Sequence, residues 1–278
     1  MKKIKLLVTL FVVLAMAFAM IGCNSTPKDN KVQPTVEPGQ GEPEMSETMS
    51  KILKDKKIVW GTNAAFPPFE MRNGDNVIGV DAEIAAKVAE KLGVELVVED
   101  TDFDGLISAL NAKQIDFIGA GFTIKPDREE QVLFTDKYFK AVQMIIVTED
   151  NTDINGPDDL ANKIIGVQGG TTGDIVSEDI IANGTGSIVR FNSGLEAAID
   201  LKNGRLDAVI IDNLPAQMIV AQNPGIRLLD VKAGDDEEYA MAVRKEADDL
   251  QKVINEVLSE LKASGEIDQW VEEYSFLQ

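Results

Sequence analysis

The feature that most narrows the fold is an alternation of short apolar runs with helix-period stretches, carried through twice. Residues 57–62, Lys-Ile-Val-Trp-Gly-Thr, read as a strand. Residues 81–92 place Ile84, Val88, Ala89 and Leu92 on one helical face and stop at Gly93. A strand over 94–99, a helix over 104–112 and a strand over 115–119 follow. The same order returns as a strand at 163–168, a helix at 172–182, a strand at 187–191, a helix at 194–202, a strand at 206–212, a helix at 215–222 and a strand at 226–230. The spacing predicts two α/β lobes, each a mostly parallel sheet flanked by helices. Stretches 141–147 and 239–243 are the expected crossings between them, and two helices broken at Gly265 close the chain.

An internal echo accompanies this order. Leu110-Asn111-Ala112-Lys113-Gln114-Ile115-Asp116-Phe117-Ile118 parallels Leu201-Lys202-Asn203-Gly204-Arg205-Leu206-Asp207-Ala208-Val209. A true repeat and the common look of a helix-to-strand turn account for it equally well. Either way, Asp116 and Asp207 are expected at strand entries and not in a site.

The amino-terminal stretch is of a different kind. Three lysines lie within residues 1–5, and an apolar run of about 16 residues follows, short of the roughly 20 that a spanning helix needs. Met20-Ile21-Gly22-Cys23 closes the run and resembles the lipobox of bacterial lipoprotein signals. The resemblance implies a signal peptide over 1–22, lipid on Cys23 and a membrane anchor of more than one acyl chain, palmitate among them. An uncleaved anchor helix with a chance cysteine is the competing reading. Residues 23–50, rich in Pro, Gly, Ser, Thr and Glu, are expected to be a disordered spacer. Residues 51–143 with 239–278 would then form one lobe, and 144–238 the other.

Two absences remove much chemistry. The sequence has no histidine and one cysteine. That excludes Ser-His-Asp and Cys-His catalysis, His-ligated metal, disulfides and zinc clusters. Carboxylate or lysine chemistry stays open, but a binding role is favoured over an enzyme, with no cofactor and no metal. A net charge of −20 speaks against nucleic acid, which is held through many basic phosphate contacts.

Open α/β sheets bind ligands beyond the carboxyl ends of their strands, so those positions are the candidates. They include Asn63, Phe66, Phe103, Gly121, Thr123, Arg128, Gln168, Thr171, Thr172 and Asp212. Arg128 offers a planar fork for a carboxylate. Thr171 and Thr172 open a helix whose N–H groups favour an anion, and Asp212 offers a carboxylate to a cation. A carboxylate, an ammonium and an aromatic wall together describe a free α-amino acid. The ordinary alternatives are a surface arginine at 128 and a helix cap at 212.

In order along the chain, Gly61-Thr62 with Phe66-Pro67-Pro68-Phe69-Glu70, Phe103-Asp104-Gly105-Leu106-Ile107, Thr123 through Arg128, Phe134-Thr135-Asp136, Ile165 through Gly173, and Asp207-Ala208-Val209 with Asp212 resemble the polar amino-acid receptors of bacterial ABC importers. The resemblance covers about 56–276 and implies the two-lobed type II periplasmic-binding fold. It also implies roles. Arg128, helped by Thr123 and Thr172, would grip the ligand carboxylate. Asp212 and the Gly121 carbonyl would take the ammonium. Phe66 and Phe103 would sandwich the side chain, and Asn63, Gln168 and Ile211 would line its far end.

Asn63 stands where many such receptors carry aspartate. Two amides favour an uncharged side chain, while the second lobe looks most like arginine receptors, so arginine and glutamine stay tied. The implied partners are the amino acid, a permease with its ATPase, and the membrane through lipid on its extracytoplasmic face, with the receptor itself a monomer. The rival functions are a cyclohexadienyl dehydratase-like enzyme on the same fold and a ligand sensor.

Overall fold

The computed structural model describes residues 45–276. Cys23, the signal and most of the expected spacer lie outside them. Helix α1 (Glu47–Asp55) leads into β1 (Lys57–Thr62). A small antiparallel sheet follows: β2 (Ala65–Phe66), β3 (Glu70–Asn73) and β4 (Asn76–Ile78). Then come α2 (Val80–Leu92), β5 (Glu95–Asp100), α3 (Leu106–Asn111) and β6 (Phe117–Ile118). The short α4 (Pro126–Glu129) and β7 (Leu133–Phe134) precede the long β8 (Phe139–Thr148). The second series is β9 (Ile164–Gln168), α5 (Thr172–Ile181), β10 (Ser187–Phe191), α6 (Gly194–Lys202), β11 (Ala208–Asp212) and α7 (Asn213–Gln222). Strand β12 (Ile226–Tyr239) returns, followed by β13 (Ala242–Val243), α8 (Asp248–Ser264) and α9 (Glu266–Ser275).

These strands make two large sheets, ordered β5-β1-β6-β13-β7 and β10-β9-β11-β8-β12. In each, the first strand of its series sits between the second and the third, and those pairings are parallel. The remaining pairings are antiparallel, so the sheets are mixed and not mostly parallel as the sequence suggested. The reason is connectivity. Parallel neighbours need a crossover helix, whereas strands that carry the chain back between the two sheets arrive from the opposite direction. One of these, β12, spans both 226–230 and residue 239, which the sequence reading kept apart. It pairs along β8 with register shifts between Leu228 and Lys232 and between Lys232 and Asp236.

The internal echo has a structural counterpart. Asp116 Oδ2 accepts from the Val59 N–H at 2.9 Å, and Asp207 Oδ2 accepts from the Ile164 N–H at 2.7 Å. The N–H groups of Asp116 and Asp207 return to Val59 and Ile164 carbonyls, each at 2.8 Å. Each aspartate thus ties the third strand of its series to the first. The turn before it passes through the left-handed region at Lys113 (φ 61°) and Gly204 (φ 70°). A lysine there carries a left-handed penalty of about 1–2 kcal/mol that glycine escapes, partly offset by the greater freedom of glycine in the unfolded chain. Lys113→Gly should therefore stabilise by about 0.5–1 kcal/mol, read as a higher urea midpoint at unchanged slope. Its exposed ion pair with Glu47 contributes little.

Helix α1 starts inside the stretch expected to be spacer. Ser46 caps it, its Oγ accepting from the Met49 N–H at 3.0 Å, while Thr48, Met49 and Ile52 are buried. Ser46 also donates to Asp249 through both its N–H (2.8 Å) and its hydroxyl (2.7 Å). Arg244, itself buried, donates to Thr48 Oγ1 and to the carbonyls of Leu110 and Ile115. The folded body therefore begins before residue 50. A helix of nine residues carries too few apolar positions to register by period alone.

Candidate ligand-binding site

The two sheets meet through amides at their strand ends. Asn63 follows β1 and Gln168 ends β9, and Gln168 Nε2 donates to Asn63 Oδ1 at 3.0 Å. Asn63 Nδ2 donates to the Thr101 carbonyl at 2.8 Å. Gln168 Oε1 is buried with no protein hydrogen-bond partner, which leaves an acceptor for a donor brought from outside.

Arg128 projects from α4 and is 4 % exposed, so it is no surface arginine. Nη1 donates to the Thr123 carbonyl at 2.8 Å, and Nη2 reaches the Gly170 carbonyl, on the second-series side, at 3.0 Å. The guanidinium lies over Phe122, 4.3 Å from its centroid, and 5.4 Å from that of Phe103. These are neutral partners. The arginine ion pairs among the described residues belong to Arg72, Arg190, Arg205 and Arg244. Burial pulls the Arg128 pKa down to about 10, against the opposing pull of Asp127, Glu237 and Asp212. Gly170 permits this close approach. It sits at φ 75°, and a β-carbon there would lie 2.9 Å from that of Asp104.

Asp212 ends β11 and occupies the capping position of α7, yet its side chain caps nothing. It is 4 % exposed, and Oδ1 accepts the Tyr239 hydroxyl at 2.6 Å. Burial first, and then the negative charge of Glu237, raise its carboxyl above the usual carboxylate range. No lysine or arginine pairs with it among the described residues. The site thus holds a buried cation and a buried anion, and neither has a counter-ion within ion-pair distance.

The two threonines expected at the anion end are brought together from the two sheets. Thr123 Oγ1 and Thr172 Oγ1 donate to the same atom, Glu237 Oε2, at 2.8 and 2.7 Å. Gln143 Nε2 donates to Thr172 Oγ1 at 3.0 Å, which commits that hydroxyl's proton to the carboxylate. Thr171 is used internally. It caps α5, and its hydroxyl donates to the Gln168 carbonyl at 2.8 Å. Ile211 turns toward the helices and packs on Gly194, where a β-carbon would meet its Cδ1 at 2.1 Å. Neither Thr171 nor Ile211 offers a side chain to the polar end of the site.

Phe66 and Phe103 fall in separate aromatic groups, Phe66 with Phe69 and Tyr239, Phe103 with Phe122. Gly121, at φ 52°, lies against Phe66, where a β-carbon would come within 2.7 Å of the ring. Its N–H donates to Asp81 Oδ2 at 2.9 Å, and the Tyr138 hydroxyl donates to Asp81 Oδ1 at 2.7 Å. Beside them Glu70 is fully buried, with both carboxyl oxygens lacking a conventional donor. Burial, reinforced by Asp81, holds the Glu70 carboxyl well above the carboxylate range, and burial lifts Asp81 to about 6. Both shifts favour the neutral carboxyl, most strongly at Glu70. Glu70→Gln, which keeps a donor and adds no charge, should leave unfolding free energy within about 1 kcal/mol of wild type. Denaturation at pH 7 checks this.

Four contributors were not singled out from sequence: Phe122 beneath Arg128, Tyr239 on Asp212, Gln143 on Thr172, and Glu237. For Glu237 a signal existed, since Asp235-Asp236-Glu237-Glu238 runs straight into the second expected crossing. Among the described residues no His, Cys, Asp and Glu cluster is suited to a metal, and no helix is long and apolar enough to cross a membrane.

The profile of the bacterial extracellular solute-binding proteins, family 3, matches residues 58–278. The arginine-binding extracellular protein ArtP of Bacillus subtilis is 34 % identical over 216 residues, spanning 77 % of this chain and 84 % of that relative. The arginine-bound form of truncated ArgBP from T. maritima is 40 % identical with a TM-score of 0.72, over 76 % of this chain and 99 % of that one. An ancestral arginine-binding protein bound to glutamine is 38 % identical with a TM-score of 0.73, over 79 % of this chain and 97 % of its own.

Proposed function

This chain belongs to the bacterial extracellular solute-binding proteins of family 3, and on that premise we propose that it captures free L-arginine outside the cytoplasm for an ABC importer. It has the two-lobed type II periplasmic-binding fold and works as a binding protein, not an enzyme. The observation that carries the reading is the pair of buried, uncompensated charges, Arg128 and Asp212. An α-amino acid supplies the missing carboxylate and ammonium together. Thr123 and the N–H groups opening α5 assist at the carboxylate. Phe66 and Phe103 flank the side chain, and the free Gln168 Oε1 with the Asn63 amide meets its N–H donors.

L-Glutamine is the second reading. It is favoured by the neutral Asn63–Gln168 pair and by the glutamine-bound ancestral relative. Residues 45–143 with 239–276, α1 included, make up one lobe and 144–238 the other. Their closure over the ligand is a hinge motion about β8 and β12. The receptor acts as a monomer, is exported by residues 1–22 and is held on the membrane by lipid on Cys23. The Met20-Ile21-Gly22-Cys23 motif supports this anchor.

Calorimetry of the protein freed of bound amino acid, across the natural amino acids, tests the ligand. Saturable 1:1 heat with L-arginine or L-glutamine is expected, and no heat with any amino acid overturns the reading. Radiolabelled palmitate incorporation that disappears in Cys23→Ser tests the anchor.

A further inference from the structure

Of all the polar groups near Arg128 and Asp212, one has no place in the amino-acid reading. Glu237 Oε2 takes both hydroxyls, Thr123 Oγ1 and Thr172 Oγ1, that would otherwise serve a ligand carboxylate. The two threonines come from opposite sides. Thr123 lies in the segment after β6, and Thr172 opens α5. Glu237 itself is on β12, one of the two strands that carry the chain between the sheets. Its charge also acts on both buried ions, opposing the depression of Arg128 and adding to the elevation of Asp212. Because Gln143 donates to Thr172 Oγ1, that threonine's proton points at one acceptor only. Glu237 and an incoming carboxylate therefore require the same donors.

From this geometry we infer that Glu237 is a built-in competitor for the α-carboxylate, and so a residue that sets the affinity and selectivity of the site. The inference rests on the amino-acid reading above. Glu237 latches Thr123 to Thr172 as a bound carboxylate would, and a ligand must displace it. Displacement has somewhere to go. Glu237 also lines a cavity of about 720 Å³ on the β12 side of the site, together with Lys125, Lys137 and Gly234. Lys137 is already paired with Glu238, whereas Lys125 makes no ion pair among the described residues. A Glu237 carboxylate swung outward meets Lys125 as its counter-ion. The latch lowers apparent affinity by the fraction of protein it holds in its own grip. It also demands that a ligand bring an anion able to replace it.

The test compares wild type, Glu237→Gln and Glu237→Ala, each freed of bound amino acid. L-Arginine and L-glutamine are titrated by calorimetry, and sodium acetate is titrated by thermal melting against sodium chloride at equal ionic strength. Glu237→Ala should bind the amino acid about tenfold or more tightly, with a smaller gain for Glu237→Gln, whose amide keeps an acceptor but loses the charge. Acetate should raise the Tm of Glu237→Ala and leave wild type unmoved, because only the variant has the threonine hydroxyls free. Affinity unchanged or weaker in both variants, or equal acetate response in wild type and Glu237→Ala, overturns the inference. A wild type that binds no amino acid defeats the amino-acid reading instead, and the acetate comparison then still decides whether Glu237 holds a carboxylate seat.

Discussion

Arg128→Ala should weaken L-arginine binding by about a hundredfold to a thousandfold, measured by calorimetry at pH 7.5. The substitution removes the one buried cation at the site, and with it the counter-charge for the ligand carboxylate. Truncating one partner of a buried, hydrogen-bonded charge pair typically costs about 3–5 kcal/mol, which corresponds to at least two decades in Kd. Arg128→Lys should recover little. A lysine ammonium cannot lie flat on Phe122 while donating to both the Thr123 and Gly170 carbonyls. Thermal stability should not fall in proportion, because the arginine has no ion-pair partner to orphan. An affinity within about tenfold of wild type would remove Arg128 from the anion end of the site.

Asp212→Asn should move binding and stability in opposite directions. Affinity should fall by at least about a hundredfold, since an amide gives the ligand ammonium no counter-charge. Stability of the ligand-free protein should rise. Unfolded, Asp212 titrates near the ordinary carboxyl value, about 3.9, and burial beside Glu237 places its folded pKa above that. Between the two values the folded chain holds a proton that the unfolded chain has released. Stability therefore falls as pH rises through this window, and the loss persists above it. Asparagine carries no such loss, and a gain of about 1 kcal/mol at pH 7.5 would read as a Tm about 2–4 °C higher. Ligand binding runs the other way with pH. The ammonium needs the ionised carboxylate, so wild-type affinity should rise through the same window. A variant that lost both binding and stability would mark Asp212 as structural.

The legibility of the sequence varied with the physics that holds each part. Strands β1 and β9 and helix α2 were readable because their own apolar periods match their burial. The left-handed turns at Lys113 and Gly204 were anticipated as turns. What could not be read was that Asp116 and Asp207 fasten equivalent strands in the same way. Arg128 and Asp212 could be paired from charge logic alone, since an amino acid presents both signs. Phe122 was hidden in an irregular stretch with no period. Strand β12 was hidden because Lys232, Ala233, Gly234 and four consecutive acids are poor strand formers. They are extended there because β8 supplies a long partner edge, a long-range pairing that no local pattern reports. Glu237 was lost for the same reason, as one acid in a run that ordinarily marks a solvated face.

Helix α1 gives the molecule a fixed point of attachment. Its cap and first turn are tied through Asp249 and Arg244, to α8 and to the residues flanking β6, all on the side of the first sheet. Any pull transmitted along the chain from upstream of residue 45 therefore enters the body that carries Arg128, and does not load β9, β10 or β11. If lipid on Cys23 holds the receptor as proposed, this distinguishes stator from rotor. The first-sheet body would keep its orientation to the leash while the half bearing Gln168, Thr172 and Asp212 swings, so opening and closing can proceed without work against the tether.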